Sequence, residues 1–150
     1  MAEEIGGAFM TDGTIYKRLG VKPGDLIYFL NGHENFFRKV KAYMPEGVRI
    51  KRSLAPDEKA DLIFVWPEAG GAWTDLFKVM MALMRPNGAV WVIIPRNEIA
   101  IAKGTKIFFG DVQNAALKAG LVDNKVSRVS EKEYGVRFVR RARQPIPTDQ

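Results

Sequence analysis

Three stretches of the chain are apolar almost without interruption. They cover residues 25–30, 60–66 and 89–94, and each is rich in Leu, Ile, Val, Phe and Trp. Runs of this length predict strands covered on both faces, as in the middle of a parallel sheet. Residues 48–53 read differently: Val48 and Ile50 alternate with Arg49 and Lys51, which predicts a half-buried edge strand. Between the strands the period becomes helical. Phe36, Phe37, Val40 and Met44 fall on one stripe of a helix over about 34–44, with Arg38, Lys39 and Lys41 in water. Trp73, Leu76, Phe77, Met80, Leu83 and Met84 mark a second helix over about 73–84, with Thr74, Asp75 and Lys78 opposite. Its methionines, Met80, Met81 and Met84, read as core fillers ahead of a soft binding groove.

A third helix starts at an Asp111 N-cap and carries Val112, Ala115, Ala116 and Ala119 to a stop at Gly120. A short helix over 14–20 closes at Gly20 in the same way, and Pro23-Gly24 makes the turn into the first strand. Pro45-Glu46-Gly47, Gly70-Gly71 and Pro86-Asn87-Gly88 are the other breaks, and residues 99–110 fit no single pattern. Residues 122–130 and 134–142 are strands joined by a short polar turn, hence an antiparallel hairpin. Residues 1–13 read as a loose arm, 14–143 as one domain, and 144–150 as a disordered tail. The outcome is an α/β, three-layer domain with a mostly parallel sheet. One connection is awkward. Parallel strands need a crossover of about a dozen residues, and residues 54–59 offer fewer. Either an extended link crosses there or the second strand pairs unusually.

Composition narrows the function classes. The 150 residues are 47% hydrophobic and 27% charged, ordinary for a globular protein with one real core. No apolar run reaches the roughly 18 to 20 residues of a bilayer span. The acidic start, Met1-Ala2-Glu3-Glu4, lacks a secretory pattern, so a cytoplasmic place and no membrane partner are expected. With no cysteine there is no thiol nucleophile or thiolate metal site, and one histidine, His33, cannot build a zinc centre, so no metal is expected. The net charge of +6 favours polyanions, nucleic acid among them.

The candidate site residues follow from where strands end. Ligands of open α/β sheets bind beyond the carboxyl ends of the strands. Asn31, Gly32 and His33 follow the first strand, Glu68, Gly70 and Gly71 follow the third, and Arg96 follows the fourth. Backbone N–H groups at the Gly70-Gly71 break could cradle an anion, with Arg96 as its cation and His33 as a base. Each has a plainer reading: Asn31 or His33 as a helix cap, Gly70-Gly71 as a loop. If a ligand binds, Asn31, Glu68 and Arg96 converge on it. Arg137, Arg140 and Arg141, with Arg143 beyond them, are candidate phosphate contacts, against the alternative of charge that guards an edge strand.

Three stretches resemble the class I S-adenosylmethionine-dependent methyltransferases, whose fold is Rossmann-like. Leu19-Gly20-Val21-Lys22-Pro23-Gly24 looks like the lead-in to the cofactor strand. Leu83-Met84-Arg85-Pro86-Asn87-Gly88-Ala89-Val90-Trp91-Val92 looks like the turn into a later central strand, and Ala119-Gly120-Leu121-Val122 like the turn before the closing hairpin. Residues 85–96 and 120–126, with Phe138-Val139-Arg140-Arg141, resemble more closely a family of small bacterial domains of unknown function, themselves like truncated methyltransferases. The likeness runs loosely over residues 14–142. It implies a Rossmann-like sheet with one strand–helix unit deleted. It would also imply a glycine-rich cofactor turn and an acid ending the second strand. The chain has Asn31-Gly32-His33-Glu34-Asn35 and Lys51-Arg52-Ser53 there. The expected cofactor is therefore none, with S-adenosylmethionine as the alternative. No P-loop, G-x-S-x-G elbow, triad or catalytic carboxylate pair occurs. The leading expectation is a non-catalytic binding or regulatory module with a small-molecule or protein partner. The alternatives are a small-molecule methyltransferase-like enzyme with altered cofactor recognition, and a nucleic-acid-binding protein using the basic C-terminal hairpin.

Overall fold

In the computed structural model the elements bounded by described residues follow in the order α1 (Ile15–Leu19), β1 (Leu26–Leu30), β2 (Arg49–Lys51), β3 (Ala60–Val65), α2 (Trp73–Ala82), β4 (Met84–Pro95), α3 (Phe109–Ala119), β5 (Leu121–Arg128) and β6 (Glu133–Arg140). The structure describes residues 15–30, 38, 41–42, 44–66, 72–95, 109–129 and 133–141. The N-terminal arm, the tail and most of 99–110 lie outside them. So does most of the helix expected over 34–44, of which residues 38, 41 and 42 are helical, with Arg38 and Lys41 exposed.

Among the described residues six strands form one sheet in the order β2-β1-β3-β4-β6-β5. The first four are parallel, β6 runs antiparallel to β4, and β5 antiparallel to β6. This is the mostly parallel α/β sheet with a closing antiparallel hairpin that the apolar runs predict. The awkward connection is an extended link. β2 has three residues, its Lys51 lies level with Tyr28, and Ile27 lies level with Leu62. The chain therefore retreats about 10 Å along the sheet while it passes β1, a path residues 52–59 can span at about 3.3 Å each. Leu54 packs on the α2/α3 side, so the link crosses that face. Glu58 fastens it: Lys51 Nζ donates to Oε2 at 2.7 Å and the Ala55 N–H to Oε1 at 2.8 Å.

Strand alternation sorts the core into two layers. On the helix face Ile63, Val65, Val90, Val92, Ile94, Val136 and Phe138 meet Phe77 and Met80 of α2 and Val112, Ala115 and Ala116 of α3. Met80 and Met84 are buried and Met81 packs against the same layer, the core role expected of them. The other face is aromatic. Phe29 lies 5.3 Å from Phe64 and 5.6 Å from Trp66 between ring centres, and Phe64 stacks on Trp91 at 6.4 Å. Gly135 of β6 permits this, since a Cβ there would come within 2.9 Å of Trp91 Cε3.

A helix as short as α1 cannot persist alone; its last carbonyls hold it on the aromatic face. Gly20 N–H donates to Lys17 O, Lys125 Nζ to Arg18 O at 2.6 Å, and Trp91 Nε1 to Leu19 O at 2.9 Å. Gly24, at φ 81°, completes a Pro-Gly turn whose Asp25 N–H donates to Lys22 O.

Two boundaries differ from expectation. The helix expected to reach residue 84 ends at Ala82, and Met84 already pairs with Ala60. Pro86-Asn87-Gly88 is then no separate turn: opposite the single residue Asp61, β4 places the four residues Arg85 to Gly88 as a bulge. Gly88 is obligatory there, because a Cβ would lie 2.5 Å from Met84 Cγ and 2.9 Å from the Asp61 carbonyl. α3 begins at Phe109, so Asp111 stands in its first turn rather than at its cap. A carboxylate suits the positive helix end at either place, which is why the two are hard to tell apart from sequence.

Candidate functional site

The carboxyl edge of the parallel strands is the place the fold offers a ligand. Leu30, Val65 and Val92 lie level across β1, β3 and β4. The Trp66 N–H extends the ladder by one bond to Leu30 O at 3.2 Å, and β4 continues to Pro95. Each candidate follows one of these ends in the chain. Asn31, Gly32, His33, Glu68, Gly70, Gly71 and Arg96 themselves lie outside the described residues. Trp66 forms a buried floor at this edge, against Phe29.

Next to that edge is a feature the sequence does not reveal. α2 runs back to the amino edge, where Ala60 N–H bonds Leu83 O, so its first turn lies toward the carboxyl side. Between that turn and α3 is an open cleft of about 380 Å³, walled by Trp73, Thr74 and Asp75 on one side and Asp111, Asn114 and Lys118 on the other. Two carboxylates, an amide, a hydroxyl and one ammonium suit a small polar group. Among the described residues no cluster of three ligating side chains could hold a metal ion. The residues come together from positions about 40 apart, which is why no local motif announces them.

The amino edge is closed by polar contacts, and Arg140 is at their centre. Its Nη1 donates to Arg85 O at 2.7 Å and Pro86 O at 3.3 Å, and its Nη2 to Met81 O at 2.6 Å and Met84 O at 3.2 Å. One guanidinium thereby satisfies carbonyls at the end of α2 and within the β4 bulge. Asp61 adds a second tie, accepting from the Leu26 N–H at 2.8 Å and lying 3.5 Å from Arg85 Nε. Arg141 is exposed, with Nη2 at 3.3 Å from Leu117 O. Arg137 lies on the opposite face from Arg140, half-buried, and burial lowers its guanidinium pKa from the ordinary value. At the far edge, the Lys51 bond and then the Ala55 N–H hold the Glu58 carboxyl below the usual carboxylate range.

No family model matches this chain. No curated protein matches it either. Solved structures do. A putative type 11 methyltransferase from Sulfolobus solfataricus superposes with a TM-score of 0.60 at 12% identity, over 87% of this chain and 92% of that one. A TehB-like SAM-dependent methyltransferase from Corynebacterium glutamicum gives 0.55 at 11% identity, over 93% and 90%. A ribosomal protein L11 methylase from Lactobacillus delbrueckii subsp. bulgaricus gives 0.55 at 13%, over 84% and 74%. The fold is that of the class I S-adenosylmethionine-dependent methyltransferases, in shortened form. Among the described residues no helix is long and apolar enough to cross a membrane.

Proposed function

We propose that this chain is a non-catalytic binding module on a methyltransferase fold, with no use for S-adenosylmethionine. The observation that carries this reading is the end of β2. An acid there would hold the two ribose hydroxyls of the cofactor; here Lys51 occupies the end and Arg52 and Ser53 follow it, exposed. The carboxylate bonded to Lys51, that of Glu58, is engaged already. It accepts from Lys51 and from the Ala55 N–H, and Arg49 stands 4.0 Å away. A ribose would have to displace a charge-assisted bond to use it, and such bonds are among the stronger ones. The missing strand–helix unit points the same way, since the short link lies where its chain would run.

Calorimetry of the full chain with S-adenosylmethionine and its demethylated product tests the reading. The expected result is no saturable heat. Saturation with a dissociation constant of about 1 μM, some −8 kcal/mol, would overturn it. The small-molecule methyltransferase-like enzyme would then stand in its place.

A further inference from the structure

We infer that the face under α1 binds the phosphodiester backbone of nucleic acid, through Arg137, Lys125, Arg18 and Lys17. This does not rest on the carboxyl-edge reading, because it concerns the aromatic side of the sheet beneath the hairpin.

The four cations form one patch. Lys125 and Arg137 are register partners across β5 and β6. Lys125 Nζ reaches Arg18 O, and a Cβ on Gly20 would lie 3.9 Å from Arg137 Nε, so the arginine runs beside the end of α1. Lys17 and Arg18 occupy the last turn of that helix and are exposed. None of the four forms an ion pair among the described residues.

The local acid is turned away. Asp123 is two residues before Lys125 and would share its face in a regular strand. A bulge between them shifts the register, and Asp123 instead accepts from Gln113 Nε2 on the helix side at 3.0 Å. The face keeps its lysine without the carboxylate.

Two plainer roles for Arg137 fail. It is not needed to cap α1, whose last carbonyls are bonded to Gly20, Lys125 and Trp91. It is not a clamp like Arg140, since it makes no hydrogen bond to a described residue. A half-buried guanidinium with five donors and no acceptor among the described residues has donors left for an anion. A row of phosphates meets all four cations at once, and the excess of 23 Lys and Arg over 17 Asp and Glu draws it in.

Fluorescence anisotropy of the full chain with labelled mixed-sequence single-stranded RNA, and separately duplex DNA, tests this. Binding to either supports the inference, and the tighter of the two identifies the source of the phosphates. With four contacts the affinity should fall on the order of 100-fold between about 50 and about 200 mM salt. Arg137→Gln, and independently Lys17→Gln with Arg18→Gln, should each weaken binding several-fold and flatten the salt slope by about one per charge removed. The Lys17/Arg18 pair keeps the experiment decisive should Arg137→Gln fail to fold. Lys78→Gln, on the exposed side of α2, removes a charge elsewhere and should change binding less than about two-fold. No binding to either nucleic acid, or equal losses from Lys78→Gln and the patch variants, would overturn the inference.

Discussion

Arg140 and Arg137 leave the same strand in opposite directions and meet opposite conditions. On the helix face Arg140 finds four carbonyl oxygens and ties the end of α2 to the β4 bulge. On the aromatic face Arg137 passes beside Gly20 and finds none among the described residues. Three residues apart, the two look alike in sequence. The difference lies in backbone geometry. A helix end and a bulge both expose carbonyls that need donors, whereas the carbonyls at the end of α1 already have theirs. One arginine is therefore part of the folded architecture, and the other makes no such tie among the described residues.

Substitutions can break or sharpen that contrast. Arg140→Met should have the largest effect, about 3 kcal/mol of lost stability, since several carbonyls lose a charged donor together; urea unfolding reads it. An undiminished midpoint would remove Arg140 from the architecture. Gly135→Ala strains the aromatic face against Trp91 and should cost about 2 kcal/mol, as overpacking does. Trp91→Phe preserves most of the apolar bulk but deprives Leu19 O of its donor. Its loss should be about 1 kcal/mol, with faster amide exchange in residues 16–21. Arg137→Gln should change the unfolding free energy least, by less than about 0.5 kcal/mol in either direction. A loss as large as that of Arg140→Met would make the two faces equivalent.

The far edge gives a pH test. Glu58 has its folded pKa held below the ordinary value near 4.5. Its contribution is therefore fully present above that value and lost as pH falls through the lowered one. The stability difference between the wild type and Glu58→Gln should be constant from pH 7 down to about 5 and shrink below that. A difference that grows on acidification would reverse the assignment.

The elements easiest to read from sequence were those whose burial is uniform. The unbroken runs of β1 and β3 and the alternation of Val48 and Ile50 against Arg49 and Lys51 translate directly into sheet position. The bulge in β4 was not legible, since Pro86-Asn87-Gly88 carries every local mark of a turn. What holds it within a strand is Arg140, more than 50 residues later. The polar cleft was hidden for a similar reason, as Asp75 and Asp111 come from separate helices. At the carboxyl edge the described residues end at Leu30, Trp66 and Pro95.

The fastening of α1 also bears on the order in which the molecule assembles. Its two side-chain donors stand 72 and 107 positions further along the chain. Contacts of that separation close the largest loops and slow the search for the native state. A helix of five residues gains nothing by forming before them. It should therefore come to rest last, once β4 and the hairpin are in place, and lift first when the protein breathes. The basic face beneath it would then be completed by the final step of folding.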